Sequence, residues 1–233
     1  MKVAILAGGL ATRLRPISET IPKSLLEIAG RPFIFHQLDL LRSAGITDAV
    51  LCVGHLGERI EEAVGDGSSC GVRVTYSHDG DALIGTGGAL RRAQSLLGEL
   101  FFVLYGDSYL DVDYLEIGQA FRRSGRSGLM TVFKNQGKWD TSNVVYDGRR
   151  IVRYDKSHRD PQMEYIDYGL GVLNTTTLSR IPLGQRYDLA DLYRALIDEQ
   201  DLAGFEVANR FYEMGSHAGL EETSAYLLSK MRP

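Results

Sequence analysis

Residues 2–16 read Lys-Val-Ala-Ile-Leu-Ala-Gly-Gly-Leu-Ala-Thr-Arg-Leu-Arg-Pro, and the junction inside this stretch decides the fold. Val3 to Leu6 is a short apolar run of the kind that forms a fully buried strand, and it stops at Gly8-Gly9. Paired glycines directly after a strand let backbone N–H groups approach an anion without side-chain interference, so the loop reads as a phosphate cradle. It is not a Walker loop, because Arg13 and Leu14 stand where a lysine and a serine or threonine are needed. It is not the dinucleotide GxGxxG either. The loop leads instead to a guanidinium, Arg13, whose planar donors can grip phosphate oxygens in pairs, and Lys23 follows as a second cation after Pro22.

Beyond this loop, apolar runs at Ala49 to Val53, Val72 to Tyr76, Phe101 to Tyr105 and Leu129 to Phe133 predict strands. Helical patterns fill the gaps. In Pro32 to Ser43 the residues Ile34, Leu38 and Leu41 form one stripe, proline stands in the first turn and Gly45 lies past the end. Glu58 to Val64, Gly88 to Leu97 and Tyr114 to Ser124 are the other helices expected in this half. Such alternation predicts an α/β fold with a mostly parallel sheet, helices on both faces and ligands at the carboxyl ends of the strands.

After about residue 140 the rhythm changes. Val144 to Tyr146 and Ile151 to Tyr154 flank Asp147-Gly148, a hairpin signal. A strand is expected from Ile166 to Leu173, helices at Leu189 to Glu199 and Gly219 to Lys230, and an extended piece from Phe205 to Met214. With no linker or repeat, the chain reads as one domain over 1–233. Its nucleotide-binding half spans 1–135 and its partner-substrate half 136–233.

Composition narrows the class. The chain has 233 residues, 44% hydrophobic and 24% charged, which is ordinary for a globular protein and long enough for a full core. A net charge of −4 does not suggest a nucleic-acid binder. Cys52 and Cys70 lack metal-ligand or disulfide spacing and read as buried apolar residues. The N-terminal apolar run is too short for a signal peptide or a membrane span, so a cytoplasmic protein without membrane partners is expected. The five histidines are scattered and read as structural.

The segment LAGGLATRLRP followed by Pro22-Lys23 resembles the signature loop of the sugar nucleotidyltransferases, the pyrophosphorylases that make nucleotide sugars. Ala11 stands where that family usually has glycine. The resemblance implies a single Rossmann-like, glycosyltransferase-A-like domain with a small β-hairpin sugar-binding region. It also implies that Leu6, Ala7, Gly8, Gly9, Thr12, Arg13 and Lys23 bind the nucleoside triphosphate. Gly85-Thr86-Gly87-Gly88-Ala89-Leu90 resembles the family segment that holds base and ribose through backbone contacts, which nominates Gly87 and Gly88.

The run from Phe101 to Asp107 ends in a carboxylate at the edge of the sheet and resembles the family's magnesium aspartate. Hard oxygen ligands, with one or two carboxylates plus substrate phosphates, suit Mg2+. Asp113 precedes a helix and reads as an N-cap. Late in the chain, Phe211-Tyr212-Glu213-Met214-Gly215 resembles the family's second metal site, with Glu213 replacing the usual aspartate. Asn143, Lys156, Tyr168 and Gly169 look like the positions from which relatives hold the sugar phosphate.

These parts imply transfer of a nucleoside monophosphate from a triphosphate to a sugar 1-phosphate, with Arg13, Lys23 and Asp107 as the catalytic residues. GTGGAL, GDSYLDVD, DTSNVVYD and YDKS most resemble guanylyltransferases acting on heptose 1-phosphate in surface-polysaccharide precursor synthesis. A uridylyl- or thymidylyltransferase of the same fold is an alternative, and a noncatalytic nucleotide-sugar sensor is an alternative of another class. An NAD-dependent enzyme is disfavoured, because no acidic residue ends the second strand at Val53. A homo-oligomer is compatible with the resemblance.

Overall fold

The structure is a computed structural model that describes residues 1–231 apart from 11–13, 15, 17, 18, 81 and 159. In chain order the elements begin with β1 (Lys2–Leu6), a 3-10 turn at Lys23–Leu25, β2 (Glu27–Ile28), β3 (Arg31–Pro32), α1 (Phe33–Ser43) and β4 (Asp48–Val53). They continue with α2 (Gly57–Val64), β5 (Arg73–His78), α3 (Gly85–Arg92), β6 (Leu100–Tyr105), β7 (Ser108–Tyr109) and α4 (Tyr114–Ser124). The second half holds β8 (Gly128–Lys134), β9 (Val144–Tyr146), β10 (Ile151–Tyr154), β11 (Tyr165–Asn174), α5 (Leu189–Asp198), β12 (Leu202–Val207), β13 (Tyr212–Glu213) and α6 (His217–Lys230).

β1 lies at the centre of the main sheet, with β4 and then β5 on one side and β6 on the other, all parallel. β11 then pairs antiparallel with β6, and β8 antiparallel with β11, so β8 runs parallel to β6 again. β12 closes that side parallel to β8. Of these seven strands β11 alone is reversed; the β9–β10 hairpin, whose β9 pairs antiparallel with β11, brings the sheet to nine strands, and its body is mostly parallel, as the alternation of strands and helices predicts.

Each central strand is buried on both faces, so its side chains divide by the period of two between two apolar layers. Val3, Ile5, Leu51, Phe102 and Leu104 pack with Ile34, Leu38 and Leu41 of α1, Ile60 of α2 and Phe121 of α4. Ala4, Val50, Cys52, Phe101 and Val103 face the other way, onto Ala89 and Leu90 of α3 and Leu192 and Leu196 of α5. Both cysteines are buried and unpaired.

Several expected boundaries move for tertiary reasons. α3 starts at Gly85 rather than Gly88, although glycines are poor helix formers, because the Gly87 and Gly88 N–H groups both donate to the Tyr187 carbonyl at 3.0 and 3.2 Å. It ends at Arg92, and a 3-10 turn at Gln94–Leu96 takes the place of its expected last turn. The extended piece expected from Phe205 to Met214 divides between β12, on the main sheet, and β13, which pairs with β7. The hairpin forms between β9 and β10, where the Asp147 side chain accepts from the Arg149 and Arg150 N–H groups. Asp113 caps α4 as expected, accepting from Glu116 N at 2.9 Å. Among the described residues no helix is long and apolar enough to cross a membrane.

Candidate active site

A cavity of about 460 Å³ opens at the carboxyl ends of β1, β4 and β6. Leu6, Ala7, Gly8, Gly9, Lys23 and Asp107 line it together, so most of the sequence-nominated nucleotide residues converge. Thr12 and Arg13, with Ala11, lie outside the described residues. Gly8 is pressed against the β4 end, where an added Cβ would lie 3.0 Å from Gly54 N; Gly9 has open space around it. The two glycines therefore act differently, one permitting close packing of strand ends and the other leaving room above the loop.

Lys23 reaches the site from the 3-10 turn, and its ammonium donates to Asp107 Oδ2 at 2.6 Å. Asp107 is held by a tight crossing of two strand ends. Gly106 N donates to Leu6 O at 2.9 Å, and a Cβ on Gly106 would stand 2.8 Å from that oxygen. From behind, the buried Gln37 of α1 donates through Nε2 to Tyr105 O and Ser108 O at 3.0 and 2.8 Å. A polar residue inside the apolar stripe of a helix was the available signal for this brace, and sequence reasoning missed it.

Glu213, about a hundred residues further along, is brought to the same place by the β7–β13 ladder, in which it pairs with Ser108. Met214 N donates to Asp107 O at 2.9 Å, and Thr223 of α6 donates to Glu213 O at 3.2 Å. α6 is itself anchored by Tyr226, which donates to Asp111 Oδ2 at 2.8 Å, and by the Lys230–Asp111 ion pair. Burial first, then the negative charge of Asp107, push the Glu213 carboxyl above its usual range, while Lys23 pulls it the other way. Two neighbouring carboxylates, Asp107 lining the cavity and Glu213 beside it, form a donor set suited to a hard divalent cation. Among the described residues no group of three or more His, Cys, Asp or Glu converges, so substrate oxygens would complete such a site.

On the sugar side the structure sorts the nominated residues by strand face. Along β11, Asp167 and Gly169 share one face and Tyr168 lies on the other. Tyr168 is 2% exposed, packs edge-on against Phe211, and donates to Arg210 O at 3.3 Å. It is a core residue, which corrects its nomination as a sugar contact. Gly169, with φ +89°, sits beside Ser108 and Tyr105 next to Asp107. Asp167, not nominated from sequence, accepts from Tyr154 OH at 2.7 Å and from Gly169 N at 3.1 Å. Burial and the adjacent Asp167 carboxylate keep the Tyr154 phenol protonated far above neutral pH.

Asn143 acts as a strut, its side-chain oxygen accepting from Asp167 N at 2.9 Å. Lys156 extends over the rings of Tyr105, which lines the cavity, and Tyr154, with its ammonium 5.7 and 5.6 Å from their centres.

The glycine-rich entry of α3 is also resolved by face. Gly85, Thr86 and Ala89 line the cavity, while Gly87 and Gly88 turn their N–H groups and their missing side chains toward Tyr187 and its neighbours. A Cβ on Gly87 would lie 2.8 Å from the Tyr187 ring, so these glycines serve helix packing rather than ligand contact. Arg186 and Asp79 also line the cavity and were not singled out from sequence. Arg186 comes from the segment before α5, which α3 brings across to the nucleotide side.

Comparison with known proteins agrees with this fold. A mannose-1-phosphate guanyltransferase of Aspergillus oryzae is 31% identical over 98% of this chain and 65% of its own length. A mannose-1-phosphate guanylyltransferase catalytic subunit beta of Drosophila pseudoobscura pseudoobscura is 28% identical over 99% of this chain and 63% of its own length. The chain thus spans somewhat under two thirds of these curated relatives. A solved candidate glucose-1-phosphate thymidylyltransferase from Bacillus anthracis superposes with a TM-score of 0.86 at 22% identity, covering 100% of this chain and 96% of the other. HddC from Yersinia pseudotuberculosis, solved with GMP-PN, superposes with a TM-score of 0.79 at 19% identity, covering 97% and 99%. The nucleotidyl transferase family model matches residues 2–229, and the chain belongs to that family.

Proposed function

We propose that this protein transfers a guanylyl group from GTP to the phosphate of a sugar 1-phosphate, releasing pyrophosphate and leaving a nucleotide sugar. One observation carries the reading: Lys23, Asp107 and Glu213, from three distant segments, meet at the carboxyl edge of the sheet beside a glycine loop and a nucleotide-sized cavity. The relatives named as mannose-1-phosphate guanyltransferases support guanylyl transfer. For the acceptor, mannose 1-phosphate follows from those relatives, and heptose 1-phosphate from the sequence resemblance. A precursor for surface polysaccharide, made in the cytoplasm where nucleoside triphosphates are available, is the accompanying role.

A sugar phosphate, with a second pKa near ~6, already carries its nucleophilic charge at neutral pH, so no general base is required. The protein's task is to bring two polyanions together, align the attacking oxygen with the α-phosphorus and stabilise charge on the leaving pyrophosphate. Lys23, and by sequence resemblance Arg13, supply positive charge to the triphosphate. Asp107 and Glu213 would hold Mg2+, which when bound screens phosphate repulsion and polarises the phosphoryl group. Lys156 meets the sugar phosphate at the rim. Asp167, oriented by Tyr154, Gly169 and the Asn143 strut, presents a fixed acceptor to sugar hydroxyls. In-line displacement without a covalent enzyme intermediate follows.

The test is pyrophosphate release with magnesium, pairing each of GTP, UTP, dTTP, CTP and ATP with a panel of hexose and heptose 1-phosphates. Release requiring GTP together with one sugar phosphate is expected. Release with UTP or dTTP instead would replace the guanylyl reading by the uridylyl or thymidylyl one. Tight nucleotide-sugar binding with no release across the panel would favour a sensor.

A further inference from the structure

Residues 135–143, between β8 and β9, form a loop organised around one buried side chain. Asn135 is 2% exposed; its Nδ2 donates to Asp140 O and to Ser142 Oγ, the latter at 3.1 Å, and its Oδ1 accepts from Trp139 N at 3.0 Å. The far end of the loop is the Asn143 strut beside Asp167. Its middle carries Trp139, the chain's single tryptophan, which is 44% exposed and rests on Arg210.

At Arg210 three segments meet. Its guanidinium carbon stands 3.6 Å from the centre of the Trp139 ring and 4.6 Å from that of Tyr212. Its Nη2 donates to the Glu222 carboxylate of α6. Tyr212, in β13, also stacks on Tyr226 of α6, with ring centres 3.9 Å apart and planes 14° from parallel. One stack therefore runs from the loop through Arg210 and β13 to α6, and the residue after Tyr212 is Glu213. β13 is two residues long and its ladder with β7 holds two pairs, too little to fix a carboxylate by strand pairing alone. A guanidinium suits the junction, because it lies flat on aromatic faces while its edge donors reach a carboxylate, which an ammonium cannot do.

Resting on the transfer reading above, we propose that Arg210 is a positioning residue for the metal half of the site: stacked on Trp139 and Tyr212, it clamps the strand that presents Glu213 to the loop that ends in the Asn143 strut. Without the clamp β13 tilts, and Glu213 moves away from Asp107. Lys23 and the glycine loop come from the other half of the chain and stay where they are. The consequence is selective. Binding of a metal–nucleotide complex weakens, while binding of the nucleotide alone does not.

Water proton relaxation with Mn2+ and GTP tests this on the full chain, because Mn2+ held on a protein enhances relaxation more than Mn2+ on free nucleotide. Arg210→Ala is expected to bind Mn2+·GTP about 10-fold more weakly than wild type, the usual cost of misorienting a metal ligand, and to bind GTP in EDTA within about twofold of wild type. Arg210→Lys keeps the charge without the planar stack and is expected to stay near the alanine variant. Trp139→Ala should weaken Mn2+·GTP about threefold, the worth of an exposed cation–π contact, and Trp139→Phe, which restores a ring, should recover most of that. The emission of Trp139 should change in Arg210→Ala. A merely structural arginine would lower thermal stability and leave the Mn2+·GTP-to-GTP ratio alone. An unchanged ratio in folded Arg210→Ala, full rescue by lysine, unchanged emission, or a wild type that binds Mn2+·GTP no tighter than GTP would each overturn the proposal. Should Arg210→Ala fail to fold, the two Trp139 variants decide, and wild-type binding by Trp139→Ala would overturn it. Absence of pyrophosphate release with every triphosphate would count against transfer, while the binding ratios still decide the role of Arg210.

Discussion

Substituting Gly215 by alanine should detach Glu213 from its position beside Asp107 without unfolding the protein. The added Cβ would lie 2.2 Å from Glu213 Oε2, about 1 Å short of ordinary contact. Because the obstructed atom ends a flexible side chain, the carboxylate moves and the backbone does not. In moving it gives up the 2.9 Å bond donated by Gly215 N. A hydrogen bond to a charged acceptor is worth about 1.5–3 kcal/mol when buried, and water replaces part of it at this half-buried site, so a stability loss of about 1 kcal/mol is expected.

Function should suffer more. Loss of an interaction that orients a metal ligand typically costs about 10- to 100-fold in metal affinity. Pyrophosphate release titrated with MgCl2 should therefore show the half-saturating concentration rising by that factor, with maximal turnover partly recovered at high magnesium. Adding Glu213→Asp to Gly215→Ala shortens the obstructed side chain by one methylene and should restore part of the magnesium response. An unchanged magnesium titration in the folded Gly215→Ala protein would refute both the steric reasoning and the ligand role of Glu213.

Removing charge at the phosphate end, by Lys23→Ala or Asp107→Asn, should lower kcat by about 10²–10³ with the fold intact by circular dichroism. Gly106→Ala should destabilise the fold by about 1–3 kcal/mol through overpacking against Leu6 O, read as a lower urea midpoint with an unchanged slope. Tyr168→Phe should leave the KM for sugar phosphate within twofold, since the ring faces the core, whereas Asp167→Ala should raise it at least tenfold; the opposite ranking would reverse the assignment of the β11 faces. Burial pushes the Cys52 thiol up to about 12, so it should resist iodoacetamide at pH 8 in the native protein and react only after unfolding.

Much of the first half was legible from residue order alone. The apolar runs of β1, β4 and β6 and the stripe of α1 are local signals, each carried by residues of a single element. The glycine loop and Asp107 were legible too, because each lies just after such a run, and Lys23 because it follows Pro22 in the motif that continues the loop. Less legible were residues whose role depends on which neighbour they meet. Gly87 and Gly88 resemble ligand-binding glycines until the Tyr187 carbonyl takes both their N–H groups. Asp79 and Gln37 looked ordinary in sequence because their burial, and for Gln37 its bonds behind Asp107, single them out rather than their residue type.

The sequence by itself determined the α/β class, the glycine loop directly after β1 and the carboxylate at the end of β6. These depend on patterns of two and 3.6 residues within a few consecutive positions, which local sterics and burial read directly. Tertiary structure alone decided that β11 enters the sheet reversed between β6 and β8, that Tyr168 turns into the core while Asp167 shares the other face with Gly169, and that Glu213 stands against Asp107. Those outcomes are registers between segments far apart in the chain. A shift of one residue in any of them exchanges the two faces of a strand, so they are settled only when the whole sheet and its two apolar layers pack together.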